Sequence, residues 1–340
     1  MAAGDLILDT ARLDVEYAAL SGRCGLVDRS ERGKLALSGA DAKTFLAGQV
    51  TNDTEALAPG EGCYAAFLTH KGKMLGDLRI LDVSPIGAKH KGEDSDSDLS
   101  GEELLLDTER LALQALFDMI RRFKIGYQLQ LHKRTMERGL LSLIGPESAR
   151  IAAAEALPTT EHANVPVEID GIAALAARTD TGVDLICDSA ATERLIEALC
   201  ERGATAVSEQ TAEIVRVEHG RPRYGADMDE STIPQEAGLN ERAVSFTKGC
   251  YVGQETVARL YYRGKPNRLL RGLRLSQPSP AGAELRLGEK PVGRLSSAVL
   301  SPTFGPIGLG LVRREAQLGA SVSVADGDGV ATVVDLPFRA

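Results

Sequence analysis

The stretch SFTKGCYVGQETVARL, residues 245–260, sets one thiol among small, basic and polar neighbours, where a core cysteine would have apolar ones. Cys250 stands between Gly249 and Tyr251, two residues after Lys248. The thiolate is the reactive and metal-binding form of cysteine, and nearby positive charge favours it. Lys248 supplies one such charge, and if GQETVAR opens a helical turn, the positive end of that turn supplies another. Gly249 and Gly253 let the backbone approach a ligand or take positive φ. Gln254 and Glu255 can fix the loop by hydrogen bonds. An incidental cysteine beside a turn has the same spacing, so the residues alone leave both readings open.

Two further polar groups adjoin apolar strands. In TNDTEALAPGEGCYAAFLTHKGKMLGDLRIL, the side chains of Asn52, Asp53 and Asp77 can hydrogen-bond the ring nitrogens of a heterocycle, although Asn-Asp also serves as a turn dipeptide. In VRVEHGRPRYGADM, Glu218 falls at a helix end, where its charge opposes the dipole. A ligand that uses the carboxylate would offset this, as would ion pairing with His219, Arg221 or Arg223.

Composition narrows the classes. The chain has 340 residues, 43% hydrophobic and 26% charged, the balance of a folded protein with two or three domains. Aromatics at 4% and the lack of tryptophan argue against extended stacking platforms for single-stranded nucleic acid. A net charge of −9 disfavours general DNA binding. The one local basic cluster, Arg259, Arg263, Lys265, Arg268, Arg271 and Arg274, reads first as a solvated surface and leaves RNA contact open. The five cysteines (Cys24, Cys63, Cys187, Cys200 and Cys250) are odd in number and lack C-x-x-C spacing, so neither a disulfide framework nor a metal site is expected. Asp5 and Asp9 interrupt the apolar core a signal peptide needs, and no apolar run nears the roughly 20 residues that span a bilayer. A monomer in a reducing, cytoplasmic compartment, away from membranes, is expected.

The elements that position these residues follow from periodicity. A strand over 34–37 leads through Ser38-Gly39 into a short helix with Ala42, Phe45 and Leu46 on one side. GCYAAFLT and GDLRILDV read as strands, and 85–102 (PIGAKHKGEDSDSDLSGE) as a solvated, mobile loop with four acidic residues from Glu93 to Asp98. ELLLDT is a strand feeding a helix that Asp107 or Thr108 can cap. That helix carries Leu113, Leu116, Phe117, Ile120 and Phe123 as its apolar stripe and stops at Gly126. YQLQLHK alternates as a half-buried strand. Strands are expected at 140–144, 165–169, 172–178 and 183–187. A helix over 190–202 turns Leu195, Ile196 and Leu199 inward, and another runs from Glu209 to His219-Gly220. After Arg268, short strands between Gly and Pro turns read as a small barrel or sandwich.

In order along the chain, SGADAKTFLAGQVTND (38–53), LAPGEGCYAAFLTHKGKMLGD (57–77), GRPRYGADM (220–228), IPQEAGL (233–239), KGCYVGQE (248–255), VGRLSS (292–297) and IGLGLV (307–312) resemble the YgfZ family of folate-binding proteins. These are relatives of the T-protein, the aminomethyltransferase of the glycine cleavage system. The resemblance covers nearly the whole chain, and KGCYVGQE is its most specific part. It implies an α+β protein built as a three-domain ring, with two ferredoxin-like α+β domains and a C-terminal small β-barrel. The implied boundaries are 1–54 with 139–258, 55–138, and 259–340. It also implies tetrahydrofolate, or a one-carbon derivative of it, in the central opening, with Asp77 facing the folate ring and Glu218 holding the pterin. T-proteins carry two adjacent aspartates where this chain has Gly76-Asp77, and they lack the cysteine.

The leading expectation is a tetrahydrofolate-binding protein acting in assembly or repair of iron–sulfur clusters, with Cys250 as working thiol. Iron–sulfur enzymes or the assembly machinery would be its partners, and tRNA thiomethylation would be affected. The alternatives are a folate-dependent aminomethyltransferase and an RNA-associated accessory protein.

Overall fold

Two open sheets and a closed barrel organise the chain in the computed structural model, which describes residues 10–84, 103–325 and 329–339. The first sheet is antiparallel throughout, in the order Gly62–Leu68, Met74–Asp82, Glu103–Thr108, Gly33–Ser38, Gln130–Lys133. Helices Ala42–Gln49 and Leu113–Phe123 cover one face. Phe45, Leu46, Leu116 and Ile120 pack there with Leu35, Leu37, Leu78 and Ile80.

The second sheet has the order Thr205–Ala206, Gly25–Asp28, Arg138–Ile144, Gly182–Asp188, Ile172–Arg178, Asn164–Ile169. Helix Thr192–Glu201 seats Leu195 and Leu199 against Leu141, Leu143 and Leu185. On its other face Leu20 of helix Thr10–Gly22 and Ala212 and Val215 of helix Glu209–Glu218 meet Val27 and Ile144. Beyond these two helices, the same face of the second sheet joins the uncovered face of the first through Ala36, Leu81 and Leu105 on one side and Leu140, Ala177 and Ile186 on the other.

From Arg268 onward six strands close a barrel around Leu273, Leu285, Leu295, Val312 and Val333, as the texture of the sequence implies. Helix Glu209–Glu218 clamps it to the second sheet. Arg216 reaches Ser297 Oγ at 2.7 Å, and Phe338 N–H donates to the Glu218 carbonyl at 2.9 Å.

Several local expectations are corrected. Gly33–Ser38 lies before residue 54, yet pairs with Glu103–Thr108 and Gln130–Lys133, so the sheets do not divide at 54 and 55. Asp107 and Thr108 do not cap a helix. They finish a strand, and a turn intervenes before Leu113, whose helix has no side-chain cap. The strand in YQLQLHK is confined to Gln130–Lys133. Ile196 is only half-buried, while Leu195 and Leu199 are fully buried. The loop 85–102 lies outside the described residues. Among the described residues no helix is long and apolar enough to cross a membrane.

Candidate functional site

Strand Met74–Asp82 sorts its side chains by parity. Leu78 and Ile80 enter the helix-covered core, whereas Leu81 packs toward the second sheet. Asp77 and Arg79 share the face of Leu81, and with Tyr64, Glu161, His162 and Asp184 they line a cavity of about 280 Å³ between the sheets. Asp77 is 6% exposed, and its Oδ2 accepts the Tyr64 O–H at 2.5 Å. Thr108 Oγ1 donates to its backbone carbonyl at 2.5 Å. Burial pushes the Asp77 carboxyl up to about 6, Glu109 adds to the rise, and the Tyr64 hydrogen bond and Arg32 oppose it. Burial and the charge of Asp77 raise the Tyr64 phenol well above its ordinary range, so it remains a donor. A carboxyl that changes charge near neutrality beside a fixed donor is suited to proton transfer.

The wall around this pair is charged but internally matched. Arg79 bridges Asp107 at 2.9 Å and Asp184 at 2.7 Å, and Arg32 holds the other oxygen of Asp107 at 2.8 Å. Burial works against ionisation of Asp107, and Arg32 and Arg79 outweigh it, holding the carboxyl below its usual range. Arg242 lies 4.6 Å over the Tyr64 ring and is hydrogen-bonded to Glu161.

A second cavity, of about 620 Å³, shares Glu161 and the turn Thr179–Asp180–Thr181 with the first, so the two are contiguous. Glu218 lines this second cavity, not the first. It is buried at 9% exposure, and its Oε1 accepts Tyr17 O–H at 2.9 Å and Ser301 Oγ–H at 2.5 Å. The ion pairs expected for it go elsewhere. Arg221 binds Asp180 at 2.6 Å, and His219 lies 3.9 Å from the same carboxylate. Two hydroxyls, one from the first helix and one from the barrel, offset the charge at the helix end instead.

The thiol lies elsewhere. GQETVAR does open a helix, Gln254–Arg263, preceded by Gly253 at φ 84°. A Cβ on Gly253 would fall 2.5 Å from the Thr69 carbonyl, so the position requires glycine. Cys250 is exposed, unlike the buried Cys24 and Cys187. Its neighbours Tyr251 and Val257 pack in the same core as Leu78 and Ile80. The first sheet therefore stands between Cys250 and Asp77, and Cys250 lines neither cavity. The Lys248 ammonium donates to the carbonyls of Ala47 and Val50 and sits 4.7 Å over the Tyr251 ring. Burial lowers its pKa.

Other expected ligand groups are also committed locally. Asn52 donates to the Tyr64 carbonyl at 2.9 Å and accepts from Asp53 N–H at 2.9 Å; Asp53 accepts from the backbone of Glu55 and Ala56. Both are turn residues, because their short side chains find backbone partners before any cavity. Gln254 and Glu255 form the first turn of their helix and line neither cavity. The basic cluster is partly spent: Arg268 pairs with Glu236, Arg271 with Asp335, and Arg274 donates to the Arg339 carbonyl. Among the described residues no group of three or more His, Cys, Asp or Glu is placed to hold a metal ion. The residues that sequence reading missed are Tyr64, Arg79, His162 and Arg242. Tyr64 sits opposite Arg79 and two pairs along the register from Asp77, so parity along GCYAAFL and MLGDLRILD is the signal that places all three on one face.

Residues 10–86 and 97–248 match the family described as GCVT N-terminal domain. An aminomethyltransferase of Rubrobacter xylanophilus is 27% identical over 339 residues, spanning 96% of this chain and 86% of that protein. One from Synechococcus sp. strain CC9311 is 29% identical, spanning 96% and 90%. The crystal structure of glycine cleavage system aminomethyltransferase T from Bartonella henselae superposes with a TM-score of 0.80 at 24% identity, covering 96% of this chain and 89% of that one. That likeness establishes a mixed α+β aminomethyltransferase-like fold with a C-terminal barrel.

Proposed function

Because the chain belongs to the GCVT N-terminal domain family, we propose that it binds a reduced folate, tetrahydrofolate or a one-carbon derivative, in the joined cavities between its two sheets. The observation that carries this reading is Asp77, a buried carboxyl pushed up to about 6 and aimed, with Tyr64, into a cavity of about 280 Å³. The lining fits such a ligand. Its arginines are neutralised by carboxylates, while Asp77, Tyr64 and His162 offer the mixture of donors and acceptors that a reduced pterin requires. A bound reduced folate supplies a nitrogen that carries the one-carbon unit. Asp77 then holds or delivers a proton at Oδ1 or Oδ2, Tyr64 fixes the orientation of its carboxyl, and the paired wall keeps the site from filling with counterions. Glu218, in the adjoining cavity, contributes a buried carboxylate to the ligand's polar edge.

Aminomethyl transfer is the activity that the names of the relatives support. Glycine-cleavage turnover with a lipoylated carrier protein and tetrahydrofolate tests it. Turnover that collapses in Asp77→Asn supports transfer, and folate binding without turnover removes it.

The exposure of Cys250 favours a second reading, a folate-dependent accessory role in iron–sulfur cluster assembly or repair of the YgfZ type, with effects on tRNA thiomethylation. On this reading the thiol and the folate cavity act on opposite faces of the first sheet. Iron–sulfur enzyme activities in a deletion strain carrying Cys250→Ala decide it. Full rescue by that variant excludes the thiol.

A further inference from the structure

Nearly every charged group lining the cavity beside Asp77 has a partner, and His162 does not. Both ring nitrogens are buried without a hydrogen bond, and the side chain is 9% exposed. Glu161 Oε1, 3.7 Å from Nε2, is beyond hydrogen-bond reach and already committed to Arg242. The backbone adds a second observation. His162 has φ 71°, a left-handed conformation that costs a non-glycine residue. It is held there by its N–H donating to the Arg178 carbonyl at 2.9 Å and by its own carbonyl, which lies where even a Cβ on Gly62 would come within 2.7 Å. An orphaned buried polar group and a strained backbone both work against folding, and such features persist where a site uses them.

We propose that His162 is a ligand-contacting residue of the reduced-folate site, presenting one of its unpaired ring nitrogens to the ligand beside the Tyr64–Asp77 pair. This rests on the folate reading above. The Tyr64 and His162 rings are 6.4 Å apart across the cavity wall, so one ligand ring reaches both. Burial, with the Arg79 charge behind it, lowers the imidazole to about 4. At neutral pH it is therefore one donor and one acceptor, not a pair of donors.

Calorimetric titration with tetrahydrofolate and melting of the ligand-free protein, on wild type, His162→Phe and His162→Asn, test this. His162→Phe is expected to bind tenfold or more weakly while still unfolding in one cooperative transition. His162→Asn, which keeps a donor and an acceptor and tolerates positive φ, is expected to recover part of the affinity. The ring-nitrogen ¹⁵N resonances of wild-type His162 are expected to shift when tetrahydrofolate saturates the protein. Equal affinity in wild type and His162→Phe overturns the proposal and leaves the folate reading standing. Wild type that does not bind overturns both. If His162→Phe does not fold, unchanged ring-nitrogen signals in saturated wild type overturn the proposal.

Discussion

Asp77, to which the proposed function assigns proton transfer, is buried, and that burial has a measurable consequence. Its folded-state pKa of about 6 lies above the unfolded value of 3.8. Below pH 3.8 both states hold the proton. As pH rises toward 6 the unfolded chain releases it first, so stability present at low pH is lost through that window and the loss then levels off. The size is on the order of 3 kcal/mol. His162 acts in the opposite sense, since its folded-state pKa of about 4 lies below 6.5 and stability rises with pH between them. The comparison is therefore with Asp77→Asn rather than with an absolute curve. Urea unfolding of the two proteins is expected to agree below pH 4 and to favour Asp77→Asn by up to about 3 kcal/mol above pH 7; parallel curves would show that Asp77 is not desolvated. Asp77 was singled out by its resemblance to a folate-facing aspartate, and the structure places it in the cavity wall. Tyr64 and His162 were not, because what joins them to Asp77 is strand register and a cavity wall, neither of which leaves a local motif.

At the scale of elements, strand Glu103–Thr108 shows how a reading can be locally sensible and still fail. Asp107 precedes an amphipathic helix and has the chemistry of a cap. Sheet pairing instead turns it inward, 3% exposed, between Arg32 and Arg79. The chain of ion pairs from Arg32 to Asp184 ties the two sheets together behind the cavity. Asp107→Ala leaves two guanidinium groups short of a partner and is expected to cost about 3–5 kcal/mol in urea unfolding; a loss under 1 kcal/mol would mean that water serves these arginines equally well. The KGCYVGQE loop makes a different prediction. Gly253 at φ 84° abuts the Thr69 carbonyl, so Gly253→Ala is expected to lower stability by about 1–3 kcal/mol. A melting temperature equal to that of wild type would show that the loop relaxes without cost. The helices and strands themselves were largely readable, since 3.6- and 2-residue periods survive in sequence. Boundaries were less so, as in YQLQLHK, where turn hydrogen bonds end the pattern early.

Over the whole molecule, the chain uses its second sheet and barrel to complete what the first sheet begins. Asp77 comes from the first sheet, Glu161 and His162 from the segment leading into edge strand Asn164–Ile169 of the second, and Glu218 from a helix pinned by Tyr17 near the N-terminal end and by Ser301 in the barrel. The barrel was visible as a change of texture after Arg268, but its role in holding Glu218 was not, because Ser301 and Glu218 are 83 residues apart. Tetrahydrofolate titration of wild type alongside Asp77→Ala and Glu218→Ala, followed by calorimetry, tests the folate site most directly. Wild type is expected to bind saturably, and each variant roughly tenfold or more weakly, since a hydrogen bond to a charged acceptor is worth about 1.5–3 kcal/mol. A wild type that takes up no tetrahydrofolate, or one affinity shared by all three proteins, would contradict a folate site between the two sheets.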